Sequence, residues 1–385
     1  MVSKRSLALV STESHPQAAE FFAGIGLARL GLEASGVKVS WANDFDDVKA
    51  SMYRTHFRDE VNHLVHGDIG KVTGDDIPDV DIAWSSFPCT DLSLAGNRKG
   101  LAGHASGTFW QFTRILDEMK DRRPPVVALE NVVGFATSHG GDDLAAAIKS
   151  LNDLGYSVDV LTLDARRFVP QSRPRLFLVG ALTPPKDVPD PNSELRPDWL
   201  QASYGDPTLV THRAQLPAPP APLTSGLKKV IDTTHDWWPV ERTERFLESL
   251  SFVQDERLNI LKIRRAWTYR TAYRRTRDGV ARWEVRPDDI SGCLRTARGG
   301  SSKQAVVRAG YGKVQVKWMT PTEYARLMGA PDFNLDGARN NQALFGFGDA
   351  VCVPAVTWLS KNYLIPLANG ILNGQSSGDR VMNVV

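Results

Sequence analysis

Cysteine is scarce in this chain: 385 residues carry three, Cys89, Cys293 and Cys352. They lie too far apart for a disulfide framework or a zinc site, and such usage suits a reducing compartment. Long apolar runs are missing too. None approaches the roughly 18 residues of a membrane span. The apolar stretch near the start, Leu7–Val10, is too short for a secretory signal. Net charge is small, at +2, so the total says little about partners. Internal repeats are absent. Neither a Gly-x-Gly-x-x-Gly fingerprint nor a Walker lysine follows the first strand-like run. These absences point to a soluble, intracellular protein.

What is present is ordinary globular material, 42% hydrophobic and 23% charged. At roughly 100–200 residues per domain, the length suits two domains or one large domain with an insertion. Apolar, β-rich runs occur at Ala18–Phe22, Val37–Trp41, Val80–Trp84, Val126–Leu129, Ser157–Leu163 and Leu176–Val179. Helix-like stretches at Leu27–Ser35, Asp47–His56, Phe109–Asp121 and Asp142–Leu154 separate several of them. The alternation predicts a parallel sheet covered on both faces. Prolines then crowd residues 181–222, as in a loop or linker. Between Leu223 and Lys317 there are 20 basic and 11 acidic residues, a local net of +9, which leaves −7 for the rest. Thr320-Pro321-Thr322-Glu323 reads as a helix start with a cap, a first-turn proline and a reciprocal glutamate. A last apolar helix is expected over Val353–Leu364. The Gly/Ser/Asn-rich end, residues 373–385, is expected to be a flexible tail.

Several short segments carry chemistry. The first strand runs into Phe22-Ala23-Gly24-Ile25-Gly26, where glycines let the backbone approach a ligand. The second ends in Asn43-Asp44-Phe45, an acid suited to ribose hydroxyls beside an aromatic suited to a purine. Asp44 is equally readable as a helix cap. Asp68, in Gly67-Asp68-Ile69, can accept a bond from an adenine amine. Three such positions at successive strand ends favour an adenosine-containing cofactor. Cys89 follows Pro88 at the mouth of a strand, and Glu130 follows the apolar run Val126–Leu129. Both belong at the carboxyl edge, where open α/β sheets bind ligands. Arg173 and Arg175 flank Pro174 just before the last apolar run, as if to fix an anion or carbonyl.

In this order, with Pro88-Cys89-Thr90-Asp91-Leu92-Ser93, Gly107-Thr108-Phe109, Glu130-Asn131-Val132, Gly155-Tyr156, Gln171-Ser172-Arg173-Pro174-Arg175, Arg295–Gly300 and Gly348-Asp349-Ala350-Val351, the chain resembles the bacterial and phage DNA cytosine-5 methyltransferases. The likeness covers about residues 17–180 and 286–357. It implies an α/β fold: a Rossmann-like class I S-adenosylmethionine-dependent methyltransferase domain with a smaller inserted target-recognition domain. The expected division is 1–183 catalytic, 184–317 target recognition and 318–372 rejoining the catalytic part.

By resemblance, Cys89 is the nucleophile that attacks cytosine C6. Glu130 acts at N3, Arg175 holds O2, and Arg173 and Gln171 support the site. Phe22, Gly24, Ile25, Gly26, Asp44, Phe45, Asp68, Ile69 and Pro88 would contact S-adenosylmethionine, with no metal required. The loop Leu92–Gly107, with Arg98 and Lys99, is a candidate lid over a flipped base. On the DNA side stand Arg98, Gln171 and Arg298. A basic, aromatic-interleaved stripe joins them, with Arg264, Arg265, Arg270, Arg274, Arg275 and Arg277 in 14 residues that hold no acid.

Double-stranded DNA is the expected partner of a monomeric, cytoplasmic enzyme in a bacterial or phage-infected cell. No membrane or stable protein partner is implied, although a cognate restriction endonuclease is a possible genetic companion. The alternatives are an RNA-directed relative, for which the Cys-Phe-Thr element of that branch is missing, an inactive DNA-binding homologue, and an unusual methyl donor. Where the family reads Gly-Asn, this chain reads Gly348-Asp349. The exchange suits either a cap for the next helix or a retuned donor pocket.

Overall fold

The structure, a computed structural model, describes residues 15–58, 63–88, 107–189, 194–233, 236–277, 279–295 and 303–373. Cys89, Arg98, Arg298, nearly all of the candidate lid and the tail beyond 373 lie outside the described residues.

The first part of the chain alternates β1 (Gln17–Phe21), α1 (Leu27–Glu33), β2 (Lys38–Asp44), α2 (Asp47–Phe57), β3 (Leu64–His66), β4 (Ile82–Ser85), α3 (Thr108–Met119), β5 (Val126–Val132), α4 (Asp142–Asp153), β6 (Ser157–Asp164) and β7 (Pro174–Ala181). The strands form one sheet in the order β3-β2-β1-β4-β5-β7-β6. From β3 to β5 all pairs are parallel. The sheet is not wholly parallel, as the alternation suggested: β7 runs antiparallel to both β5 and β6. Only residues 165–173 join β6 to β7, too few for the crossover that a parallel strand requires. This reversal sets the start of β7 beside the carboxyl end of β5.

Both faces of the sheet are covered, so its strands read as continuous apolar runs rather than alternating ones. Val127 and Leu129 of β5 face α3 and α4, packing with Phe112, Leu116, Leu144 and Ile148. Val126 and Ala128 face the other layer, which includes Leu32 of α1 and Val356 and Leu359 of α10 (Val353–Leu359). The last helix therefore returns to the first: a Cβ on Gly31 would stand 2.5 Å from Val356. The helical run Asn340–Ala368 is apolar and long enough to cross a membrane, but 67% of its apolar window is buried within the fold.

The proline-rich stretch after β7 is a strap rather than a free linker. It holds a short helix, α5 (Gln201–Gly205), and is pinned to β6 from inside. Buried Arg196 makes a bidentate pair with buried Asp159, which also accepts from Tyr204 (2.7 Å) and Tyr363 (2.9 Å). Arg196 holds the Asp159 carboxyl below its usual range even though burial pushes the other way.

A second, antiparallel sheet follows the helices α6 (Val240–Glu248) and α7 (Phe252–Lys262). Its strands are β8 (Thr268–Arg277), β9 (Val280–Val285), β10 (Ala305–Gly310) and β11 (Lys313–Trp318), in the order β11-β10-β8-β9. One face packs on α6 and α7 through Ala272, Ala305, Val307, Val316, Phe246 and Leu258. The opposite face gives Tyr269 and Val306 to a core shared with α8 (Pro321–Leu327) and α9 (Asn340–Asp349), including Leu327, Met328 and Phe347. The helix start read at Thr320 is real: Thr320 and Glu323 form a reciprocal cap, with Pro321 in the first turn. Glu323 also takes the buried ammonium of Lys317 at 2.6 Å, tying α8 to β11.

Candidate active site

The turn after β1 is built from unusual backbone. Phe22 and Gly24 have φ of 58° and Gly26 has 84°. A positive φ is rare for an aromatic residue and is kept only where neighbours enforce it. Here the Asp44 carboxylate at the end of β2 accepts from Gly24 N at 2.7 Å and from Asp46 N at 2.9 Å. Asp44 is therefore not the cap of α2. Asp46 is, taking Val48 N and Lys49 N, both at 2.9 Å. A Cβ on Gly26 would collide with Tyr53 and Phe57, so the close seat of the turn on α2 needs glycine. A Cβ on Gly24 would meet nothing within 4 Å.

Beside this turn Phe45 is 70% exposed, and Ile69 is buried. Asp68 is exposed and gives one oxygen to Gly70 N at 2.9 Å. A turn with open space above it, a carboxylate at the second strand end and an exposed ring next to it fit an adenosine-bearing group. Burial raises the Asp44 carboxyl, opposed by the Lys49 ammonium nearby. Lys49 also pairs with Asp349 at 2.7 Å. Asp349 ends α9 and does not cap the next helix, which begins after Cys352 with no side-chain cap. The capping expectation thus fails: Asp349 instead ties α9 to α2.

At the sheet's carboxyl edge, β4 leads through Phe87 to Pro88. The approach is fixed by Asn131 of β5, whose Nδ2 donates to Phe87 O at 3.3 Å. Phe87 itself packs between Phe109 and Phe135. One residue before Asn131, Glu130 is buried and paired with Arg175 of β7, Nε to Oε1 2.8 Å. The antiparallel β7 makes this contact possible by bringing its first residues to the end of β5.

Arg173 and Gln171 sit deeper. Arg173 is 1% exposed and donates to Leu294 O (2.7 Å), Gly348 O (3.0 Å) and Ala350 O (2.5 Å). It holds three segments together and does not face the crevice. Gln171 is fully buried, donating to Leu327 O at 2.8 Å and accepting from Leu294 N at 3.1 Å. Its amide is thus engaged inside the protein.

The basic stripe is divided by the geometry of a strand, whose side chains alternate between two faces. Arg270 and Arg274 share the face of Ala272, toward α6 and α7. Arg274 lies 6.0 Å from the Trp283 ring, and half-buried Arg270 lies beside Leu258. Arg275 is on the opposite face with Tyr273 and Glu284. Arg264 and Arg265 are exposed before β8. Of Arg277 only the backbone, paired with Val280, is described.

Over residues 17–364 the sequence matches the family described as C-5 cytosine-specific DNA methylase. The chain belongs to that family. Among similar proteins is the Type II methyltransferase M.Bsp6I of Bacillus sp. (strain RFL6), 35% identical over 167 residues, which are 43% of this chain and 51% of that protein. M.HhaI of Haemophilus parahaemolyticus is 32% identical over 161 residues (42% and 47%). M.MspI of Moraxella sp. is 32% identical over 241 (56% and 54%). These matches span about half the length of the curated relatives. Among solved structures, Entamoeba histolytica methyltransferase EhMeth superimposes with a TM-score of 0.60 at 14% identity, covering 94% of this chain and all of that one. A Spodoptera frugiperda DNMT2 mutant gives 0.59 at 18%, covering 90% and 99%. The structural likenesses support the Rossmann-like C5-methylase fold.

Sequence reasoning overlooked two neighbours of the site. Lys49 has no motif of its own, and only its pairing across 300 residues reveals it. Cys293 was set aside as one of three scattered cysteines, although it lies two residues before the family-like Arg295–Gly300 segment.

Proposed function

We propose that this chain transfers a methyl group from S-adenosylmethionine to C5 of a cytosine flipped out of a specific double-stranded DNA sequence. The observation that carries the reading is the buried Glu130–Arg175 pair at the carboxyl edge, beside the strand that delivers Pro88, in a chain of this family.

Cytosine C5 is a poor nucleophile, and the target atom is unreachable in a stacked duplex. Cys89 is proposed to add as thiolate to C6 while Glu130 donates to N3, so that the ring's electrons gather at C5. This is covalent catalysis, which splits one hard step into easier ones. S-adenosylmethionine supplies the electrophilic methyl group. Loss of the C5 proton and expulsion of the Cys89 sulfur then restore the aromatic ring. Arg175 orients Glu130 through its Nε and presents its guanidinium to the cytosine O2. Arg173 is a positioning residue.

The donor's methionine end is assigned to Phe22, Gly24, Ile25 and Gly26, with Pro88 nearby. Asp44 takes the ribose, Phe45 covers the adenine, and Asp68 and Ile69 meet its edge. The second sheet and its helices are assigned to target recognition, with Arg264, Arg265 and Arg275 on phosphates. The enzyme is read as a monomer acting on cytoplasmic DNA.

Bisulfite sequencing of DNA from cells expressing the chain tests this reading. Protected cytosines should recur in one sequence context and vanish with Cys89→Ala. Full conversion everywhere, with folded protein present, would overturn it.

A further inference from the structure

Cys293 takes no part in the mechanism above, yet it stands among that mechanism's charged groups. The segment after β9 is pinned beneath the edge of the first sheet. Ser172 N donates to Ser291 O at 2.9 Å, and Ser291 N donates to Pro170 O at 2.7 Å. Leu294 N donates to Gln171, as described. This fixes the Cys293 sulfur 3.4 Å from Arg173 Nη1.

The charges around the sulfur do not balance without it. Arg173 is buried, and its guanidinium meets backbone carbonyls but no carboxylate within ion-pair distance among the described residues. Among the described residues two acids stand near: Glu130, paired with Arg175, and Asp164, whose carboxylate accepts from Arg173 N at 2.7 Å. Arg295 adds a third cation within range of the sulfur. A buried cation without a counter-charge is costly, because water no longer screens it.

Two further titratable groups near this cluster, Tyr324 and Cys352, are pushed toward their neutral forms. Burial, with a smaller push from the nearby sulfur, raises the Tyr324 phenol of α8 to about 12. Burial also pushes the Cys352 thiol, just before α10, up to about 12. At Cys293 burial opposes ionisation too, but the guanidiniums of Arg173, Arg175 and Arg295 outweigh it and hold the thiol below its ordinary value. Cys293 is moreover partly exposed, whereas Cys352 is buried.

We propose that Cys293 is carried as a thiolate, the counter-ion of Arg173, which positions Arg175 against Glu130 and makes a second reactive thiol at the crevice. Its reagents are small, soft electrophiles that can enter beside Arg175. The effect on turnover rests on the proposed methyl transfer, whereas the thiolate itself is read without any turnover.

Labelling by iodoacetamide tests the thiolate in the folded, full-length Cys89→Ser protein. In that reaction a carbon–sulfur bond forms and iodide leaves. Peptide-mapped labelling of Cys293 should rise with a midpoint below the ordinary thiol value of roughly 8.5, with Cys352 unlabelled. A midpoint at or above that value, or no labelling of the folded protein, would overturn the proposal. Cys293→Ser in the otherwise intact enzyme tests the positioning. It should lower kcat about fivefold to twentyfold, leave the KM for DNA within about twofold, and alter the pH profile of kcat. An unchanged kcat profile would refute the positioning role. A wild-type enzyme inactive on DNA would instead defeat the function reading and leave the labelling result standing.

Discussion

Glu20 offers a test of the site's electrostatics that needs no substrate. It lies near the end of β1, two residues before the strained Phe22, and is 1% exposed. Its Oε1 accepts from Arg29 N at 3.2 Å, and its Oε2 has no hydrogen-bond partner among the described residues. Burial pushes the carboxyl up to about 8, with Arg29 only partly offsetting it and Asp44 adding to the rise. In the unfolded chain the group titrates near 4.5. Between these values the folded state holds a proton that the unfolded state lacks, so stability falls as pH rises through the interval. It is level below the lower value and again above the upper one. The slope is about 1.4 kcal/mol per pH unit, or roughly 3–5 kcal/mol across the window. Glu20→Gln keeps the shape and the acceptor for Arg29 but cannot ionise. Urea unfolding should give a wild-type minus variant difference that widens steadily between about pH 5 and pH 8, with the variant more stable at the alkaline end. Parallel curves for the two proteins would refute the reasoning.

Arg173→Ala removes three charge-assisted bonds and leaves buried carbonyls unpaired, so it should cost about 3–5 kcal/mol in chemical denaturation; a loss below about 1 kcal/mol would contradict its role in holding the segments together. The Lys49–Asp349 pair is partly exposed, 24% and 38%, so breaking it should change stability by under about 1 kcal/mol. Lys49→Met should nevertheless weaken S-adenosylhomocysteine binding roughly threefold to tenfold by calorimetry. It should also move the acid loss of binding to higher pH, because Asp44, already raised by burial, loses its cation. An unchanged affinity with an unchanged pH dependence would remove Lys49 from the site. Neutralising Arg264, Arg265 and Arg275 should each flatten the dependence of log K on log salt by roughly 0.9, while Arg270→Gln, beside α7, should not. The reverse order would place DNA on the helix-covered face.

Much of the first sheet was legible because strands buried on both faces must be apolar throughout, as Val126–Leu129 and Leu176–Val179 are. The three-residue β3, with Val65 and His66 exposed, offered no such run. The direction of β7 lay in a negative signal, the lack of a helix between residues 164 and 174. The second sheet was hidden because its longest strand, β8, is dominated by arginine, tyrosine and threonine. Its small apolar member, Ala272, marks the packed face only once the period of two is known. The glycine turn, Asp44, Glu130 and Arg175 were readable because their chemistry follows directly from strand ends. The partners of Arg173, Gln171 and Cys293 were not, since they come from more than 100 residues away: Leu294 and Gly348 for Arg173, Leu327 for Gln171, and Arg173 itself for Cys293.

In the proposed reaction Cys89 attacks a cytosine whose C5 then takes the methyl group. The most direct measurement of this attack uses a duplex that carries 5-fluorocytosine within the methylated context, incubated with the enzyme and S-adenosylmethionine. Fluorine cannot leave as a proton does, so a denaturation-stable protein–DNA adduct should form that maps to the peptide containing Cys89 and is absent for Cys89→Ala. Methylation of the ordinary duplex with no adduct on the fluorinated one would contradict it.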